Sequence, residues 1–453
     1  MTSLPLKARL LVGLTLFSMF FGAGNLIFPP FLGFQAGSAT WTAMAGFALT
    51  AIAFPVLGVM AVARSGGLDT LAGRVHPVFA AIFTFLIYLS IGPCLAIPRT
   101  ASTSFEMAVS PFFRGADALT GSWLGLDYGT LAQALYSVVF FLVAGWIALD
   151  PGKLTQRLGK ILGPTLLTLI AILTLATVFS PLAESYPAPM AHYASGAFFL
   201  GFIDGYQTMD TIAALNFGLI IALNIRAFGV KDDNAVVAET LKAGLIAGVL
   251  FAIVYGALAW LGMQSVGAGF SAENGAQTLT EVARAQFGAL GMVLLGAAFF
   301  IACLNTCIGL LSACSNYFKT IFPVLGYKAW LAVFVLTSMV ISNAGLTTIL
   351  KLSIPVLVAI YPVALVLIIL GLLHFVLPRL ATPYKLPIAI TALVSIASAY
   401  VMTGLAGAAS LGEALKHLPL SDVGLEWFIP ALVATVVGYV AVNARACASN
   451  AAR

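Results

Sequence analysis

Residues 21–30 read Phe21-Gly22-Ala23-Gly24-Asn25-Leu26-Ile27-Phe28-Pro29-Pro30, in the middle of an apolar run from about residue 9 to residue 36. Glycine weakens a helix by about 1 kcal/mol and proline by about 3 kcal/mol relative to alanine, and asparagine also disfavours helix interiors. Together these residues predict a membrane helix interrupted at its centre. A proline kink with its carbonyls satisfied by neighbours is the plainer alternative, but a kink needs one proline and not the whole cluster. Backbone N–H and C=O groups freed at such a break cannot face lipid, where each costs several kcal/mol, so they must line a polar cavity.

A second stretch of the same kind, Gly201-Phe202-Ile203-Asp204-Gly205-Tyr206-Gln207-Thr208-Met209-Asp210, lies inside the apolar run 193–227. Carboxylic acids at membrane depth are expensive and mark function by default, unless one of them sits at a helix end in water. Counted from Tyr193, Asp204 and Asp210 fall roughly 11–17 residues in, about 16–26 Å at helical rise. The two breaks lie about five crossings apart. An odd-numbered repeat must re-enter from the opposite face, so helices 1–5 and 6–10 are expected to form an inverted pair. Broken helices 1 and 6 would then face each other at the midplane, as in many secondary transporters. Half-helix N-termini suit a carboxylate and exposed carbonyls suit a cation.

Composition puts these helices in a bilayer. Of 453 residues, 61% are hydrophobic and only 8% are charged, where a soluble domain carries about 25% charged residues. A soluble enzyme, a nucleic-acid binder and a disordered chain are excluded. Apolar stretches fall at roughly 9–36, 40–63, 77–98, 130–149, 157–179 and 193–227, then at 241–262, 288–318, 327–342, 350–376, 385–407 and 427–444. At about 20 residues per crossing, these predict twelve transmembrane helices. The ninth stretch is short, and a start near Phe322 would lengthen it. A short interfacial helix is expected around Thr278–Gln286. The whole chain reads as one polytopic membrane domain, 1–453, with repeats at about 7–180 and 190–376 and two extra helices at about 385–445.

Charge gives an independent check. With a cytoplasmic N-terminus and strict alternation, only Arg99, Arg114, Arg284, Lys351 and Lys416 of the 21 basic residues fall outside, as the positive-inside rule requires. Both termini are therefore expected in the cytoplasm. The net charge of +5 is spread over single basic residues, which gives no nucleic-acid arm. The cysteines Cys94, Cys303, Cys307, Cys314 and Cys447 form no CxxC pair, and His76, His192, His374 and His417 lie far apart, so no resident metal or cofactor is expected. Lys7 and Arg9 ahead of an apolar run look like a secretory signal, but the run continues to about residue 63 and reads as a retained first helix.

The eighth crossing carries Ala302-Cys303-Leu304-Asn305-Thr306-Cys307, with Ser312 and Ser315 further along. Asn305 and Thr306 offer side-chain oxygens at mid-helix, which a hard cation such as Na⁺ requires. The bland alternative is a threonine bonded back to its own helix.

The string Phe21–Pro30 closely resembles the first-helix motif of the bacterial branched-chain amino acid:cation symporter family. Gly205-Tyr206-Gln207-Thr208-Met209-Asp210 and the segment Ala302–Gly309 also look like that family's sixth and eighth helices. The resemblance spans the chain. It implies the leucine-transporter fold, an all-α integral membrane protein with a five-plus-five inverted repeat and two extra C-terminal helices. It further implies uptake of leucine, isoleucine and valine with Na⁺, or in some members H⁺, across the bacterial cytoplasmic membrane.

Within that fold, Gly22-Ala23-Gly24-Asn25 resembles the unwound segment that binds the substrate carboxylate. The resemblance implies that amides near Ala23 and Gly24 hold the carboxylate and that Asn25 sits near a cation. It assigns the cation to carbonyls of Ser18, Phe21 and Ala302 with the side chains of Asn305 and Thr306. Fold relatives often show two hydroxyls at that last pair, whereas this chain offers one hydroxyl and one amide, which leaves Na⁺ against H⁺ open. On helix 6, Gly205, Tyr206, Thr208 and Asp210 match the motif, and Asp210 or Asp204 is expected to cap a half-helix, bind the substrate amine or carry a proton. Phe199, Phe202, Tyr206 and Ile308 are candidates, by position, for an apolar side-chain pocket, although aromatics on membrane helices usually only pack. An integral-membrane enzyme would need a motif such as G-x-S-x-G or HExxH, and neither occurs. A channel would need a ring of charges or a repeated filter. The live alternative is a carrier of the same fold for another amino acid or a nucleobase. The expected partners are an amino acid, a coupling cation and the lipid bilayer, with no obligatory protein partner.

Overall fold

The structure, a computed structural model, describes residues 3–113, 122–123, 126–149, 165, 167–377 and 380–451. The start of the fifth apolar stretch and the basic residues Arg114, Lys153, Arg157, Lys160, Arg379 and Arg453 lie outside the described residues.

The described residues are helical almost throughout. The first stretch splits into α1 (Leu6–Phe20) and α2 (Ala23–Ala36). The second runs through α3 (Thr40–Ala48), a π-helical segment at Leu49–Ala53 and α4 (Phe54–Ser65). After α5 (Leu68–Gly73), α6 (Pro77–Leu89) leads through a π-helical segment at Ser90–Cys94 into α7 (Ala96–Ala108). A turn of helix, α8 (Ser110–Phe113), and a two-stranded hairpin, β1 (Ser122–Trp123) against β2 (Leu126–Asp127), precede α9 (Tyr128–Ala148) and α10 (Leu167–Phe179). The sixth stretch holds α11 (Ala197–Asp204) and α12 (Asp210–Ala227). Then come α13 (Asp233–Gly267), α14 (Gly275–Ile321), α15 (Tyr327–Ser342), α16 (Leu346–Val376), α17 (Lys385–Met402), α18 (Ala408–Lys416) and α19 (Phe428–Ala451).

Among the described residues, eight helices are long and apolar enough to cross a membrane. Three shorter apolar helices, Leu167–Phe179, Tyr327–Ser342 and Phe428–Ala444, occupy stretches that the sequence also marks. α15 starts at Tyr327 and not near Phe322. The expected short helix around Thr278–Gln286 is present as the first part of α14, set off by Gly288 (φ 61°, ψ −145°). It is largely buried rather than laid on a surface.

Two of the expectations about breaks need correcting. In the first helix, the non-helical residues are Phe21 (ψ 94°) and Gly22 (φ −126°, ψ −168°), while Pro29 and Pro30 lie inside α2. Proline's fixed φ is itself helical, so it removes hydrogen bonds without forcing the chain out of the helix. The third stretch, read as plain, is also interrupted, with Gly92 at φ −94°, ψ −130°. Its helix continues to Ala108, so Arg99 is not in an outer loop: it lies within α7 and is only 4% exposed. The polar run Arg99–Ser104 reads as a loop in the sequence because its burial comes from other helices.

The broken helices are held by glycine-mediated contacts. A Cβ on Gly33 would lie 1.9 Å from the Ala259 carbonyl oxygen and one on Gly262 would lie 2.0 Å from that of Pro30, so α2 and α13 touch backbone to backbone. Gly46 against Phe198 and Gly201 against Ala43 join α3 to α11 in the same way. Small residues at helix interfaces permit this approach where no hydrophobic force drives association. α1 also packs on α13, and α12 on α4. Each half of one interrupted helix therefore leans on the helix that follows the other.

Candidate functional site

The first break is closed by its own asparagine. Gly22 N–H, which would continue α1 by bonding to Ser18, donates instead to Asn25 Oδ1 at 3.2 Å. Ala23, Gly24 and Asn25 then form the first turn of α2, whose N–H groups have no partner within the helix. Asn25 is 2% exposed, and its amide donates to Asp210 Oδ2 at 2.6 Å and to the Tyr255 hydroxyl at 2.5 Å. Tyr255, on α13, donates in turn to Asp210 Oδ2 at 3.1 Å. The N-terminal turn of α2 thus meets the N-terminus of α12 through buried side chains.

The second break needs more devices. α11 ends at Asp204 and gives way to a 3₁₀ turn at Gly205–Thr208 and to Met209 in the left-handed region (φ 62°, ψ 10°). That conformation is uncommon for a non-glycine residue and signals local strain. Thr208 Oγ1 donates to the Gly205 carbonyl at 3.0 Å and accepts Asp210 N–H at 3.4 Å, so it shapes the turn. Thr50, in the π-helical segment, donates to the Phe202 carbonyl at 2.7 Å, and its own carbonyl accepts from Thr211 at 2.9 Å. Gly205 is required by this approach, since a Cβ there would lie 1.9 Å from Thr50 Oγ1. Asp210 is 3% exposed and occupies the first position of α12, where the helix dipole favours a negative charge. Beyond it lies a narrow apolar cleft, lined by Leu16, Phe20, Ile52, Val56 and Phe251 among others, with Asp210 its one ionisable residue.

A third helix brings in a cation. Arg99 donates from Nη1 to the Gln207 carbonyl at 2.7 Å, and its guanidinium lies 5.3 Å from the Phe28 ring centroid. Its Nη2 sits 2.7 Å from where a Gly24 Cβ would be. One side chain therefore touches both interrupted segments. No ion pair joins Arg99 to Asp210 or to any carboxylate among the described residues.

The other expected positions divide. Thr306 lies against the first break, its side chain 3.2 Å from where a Gly22 Cβ would stand, but its hydroxyl donates to the Ala302 carbonyl at 3.1 Å. Asn305 Oδ1 is buried without a hydrogen-bond partner, as are the hydroxyls of Ser312 and Ser315. Ser18 lies in the last turn of α1, and Phe21 follows the end of that helix. Tyr206 is buried and stacks on Tyr361 with centroids 4.4 Å apart.

The four pocket candidates do not converge. Phe199, Phe202 and Tyr206 belong to an apolar cluster with α16, whereas Ile308 packs with Ala23, Ile97 and Cys303. Asp204 leaves the centre as well. It is 31% exposed on its side chain and binds His192 Nε2 at 2.8 Å and the Tyr193 hydroxyl. α11 begins at Ala197, after a left-handed Gly196, so Asp204 is much nearer the helix end than a start at Tyr193 implies. Arg99, Tyr255 and Thr50 are site residues that the sequence reading missed. Arg99 carried a signal, a charge flanked by Thr100, Ser102 and Thr103 directly after an apolar run. Tyr255 and Thr50 carried none.

The profile of the family described as "Branched-chain amino acid transport protein" matches residues 6–445. The branched-chain amino acid permease BraB of Bacillus subtilis (strain 168) is 38% identical over 440 residues, covering 97% of this chain and 96% of that protein. Among solved structures, the inward-facing conformation of Mhp1 is similar at a TM-score of 0.60 and 14% identity, covering 97% of this chain and 91% of that one. MhsT in complex with L-phenylalanine is similar at a TM-score of 0.54 and 14% identity, covering 97% and 99%. At such identity the likeness concerns the fold alone, that of the leucine-transporter-like proteins.

Proposed function

The chain belongs to the branched-chain amino acid transport protein family, and from that premise we propose that it imports leucine, isoleucine and valine across the bacterial cytoplasmic membrane by symport with Na⁺. It is a multi-pass membrane transport protein and not an enzyme. The proposed architecture has twelve crossings with both termini in the cytoplasm and a five-plus-five inverted repeat, within which the site alternates its access. Reciprocal packing supports the repeat: α1 and α2 lean on α13, and α11 and α12 lean on α3 and α4.

The observation that carries this reading is the bond of Asn25 to Asp210, which joins the starts of two half-helices inside a membrane protein. Free amides of α2 near Ala23 and Gly24 suit the carboxylate of an amino acid, and Asp210 suits its ammonium group. The coupling ion is assigned to the carbonyls of Ser18, Phe21 and Ala302 and to the side chains of Asn305 and Thr306. Support comes from the buried, unpartnered Asn305 Oδ1 and from Thr306 lying against Gly22. Proton coupling through Asp210 is the second reading. It is favoured by the hydrogen bond that already commits Thr306 to Ala302 and by an apolar cleft that ends on Asp210.

Proteoliposomes under an inward Na⁺ gradient should accumulate labelled leucine, with isoleucine and valine competing, because an apolar pocket separates one methylene by only about 1–3 kcal/mol. Accumulation that follows a pH gradient and ignores Na⁺ replaces the ion with H⁺. Competition by nucleobases or by unrelated amino acids, without competition by valine and isoleucine, replaces the cargo.

A further inference from the structure

A guanidinium carries five N–H donors in a planar fork, and a buried one demands partners. Arg99 is 4% exposed, spends one bond on the Gln207 carbonyl, and leaves Nε buried with no partner. Among the described residues no carboxylate lies within ion-pair distance of it. The opposite charge, Asp210, is equally buried, and both of its bonds to Asn25 and Tyr255 fall on one oxygen, Oδ2.

The placement of the two charges is specific. Gly24 lies against Arg99, and Asn25, the next residue, binds Asp210. Both charges therefore border the first turn of α2, the positive one brought by α7 and the negative one by α12, without an ion pair between them. An α-amino acid carries its ammonium and carboxylate on a single carbon, and therefore offers an opposite charge to each of them. Gly24 has no side chain because Arg99 fills that space.

We propose that Arg99 is the carboxylate anchor of the transported α-amino acid: its fork closes on the carboxylate together with the free amides of Ala23 and Gly24, while Asp210 faces the ammonium group. This rests on the amino-acid carrier reading and deepens it. It moves the main anion-binding group from the first helix to α7, and it makes the α-zwitterion, rather than the side chain, the part of the substrate that the centre recognises. A bidentate guanidinium–carboxylate pair is geometrically selective as well as strong.

The test compares L-leucine with L-leucinamide, which keeps the side chain and the amine but has no carboxylate. Binding to purified protein is measured near pH 6, where both amines are protonated. Wild-type protein should prefer leucine by about 100-fold or more, as expected when one member of a buried charge pair is removed. In Arg99→Gln the preference should fall to within about threefold, through loss of leucine affinity and not of leucinamide affinity. A purely structural role would weaken both ligands alike and keep the preference, which overturns the assignment. Where Arg99→Gln does not fold, Arg99→Lys retains the charge without the fork and should bind leucine about tenfold more weakly, and unchanged leucine affinity there overturns it equally. Wild-type protein that binds no leucine refutes the branched-chain reading itself, a result separate from a wild-type binder whose Arg99 variants still discriminate.

Discussion

Gly24 and Asn25 are chain neighbours held for different reasons. Gly24 makes room for the Arg99 guanidinium, and Asn25 satisfies Gly22 with its oxygen while its nitrogen reaches Asp210. Both were legible in the sequence because glycine and asparagine are out of place at mid-helix. Asp204 looked equivalent to Asp210, yet it pairs with His192 and Tyr193 near the beginning of α11. That pair has a measurable consequence. The hydrogen bond to Asp204 is the largest influence on the His192 imidazole and holds its pKa above the ordinary 6.5, against the opposing effect of partial desolvation. A histidine raised on folding adds stability that is fully present below its unfolded pKa and is lost as pH rises through the folded value. Thermal unfolding in detergent should therefore show a stabilising increment at about pH 5.5 that is absent at about pH 8.5. Asp204→Asn should remove that increment, and identical pH profiles in the two proteins would contradict the pairing.

At the scale of elements, interruptions are tolerated because neighbours take over the freed backbone groups. Thr50 can do so for Phe202 because the π-helical segment at Leu49–Ala53 presents both its hydroxyl and its carbonyl to the broken sixth helix. No local sequence signal marks such a segment. Glycines on α14 separate backbone demand from packing demand. Gly288 and Gly309 are both exposed, and a Cβ on either would meet nothing within 4 Å. Gly288 has φ 61° and ψ −145°, close to a region that only glycine populates freely, whereas Gly309 is in the regular part of the helix. Gly288→Ala should thus cost about 1–3 kcal/mol and lower the unfolding temperature. Gly309→Ala should be neutral or stabilising by up to about 1 kcal/mol. Equal effects of the two substitutions in a thermal-shift measurement would show that the backbone conformation at Gly288 does not require glycine.

For the whole molecule, coupling requires that groups from both halves meet. Thr306 on α14 touches Gly22 at the first break, and Arg99 on α7 touches the segments on either side. With Na⁺ as coupling ion, Thr306→Ala should raise the Na⁺ concentration for half-maximal leucine uptake roughly tenfold, the loss of one oxygen bonded to a charge. Leucine affinity at saturating Na⁺ should change little. A Na⁺ dependence left as in the wild type would remove Thr306 from the ion site. The Arg9–Glu239 ion pair at 2.7 Å, with Glu239 1% exposed, ties the start of α1 to α13 on the same principle of contact between halves.

Composition and local chemistry settled the membrane class, the positions of the apolar stretches and the two principal breaks. They did so because lipid forbids unsatisfied backbone and stray charge, and both show in a single run of residues. The family resemblance was equally readable from the three motifs. Only the tertiary structure separated Asp210 from Asp204, set Ile308 apart from the pocket aromatics and placed Arg99 at the centre. Burial of a long polar side chain is decided by helices far away in sequence, here α2 and the sixth-helix break around α7. No pattern along one strand of chain records which distant backbone will come to meet it.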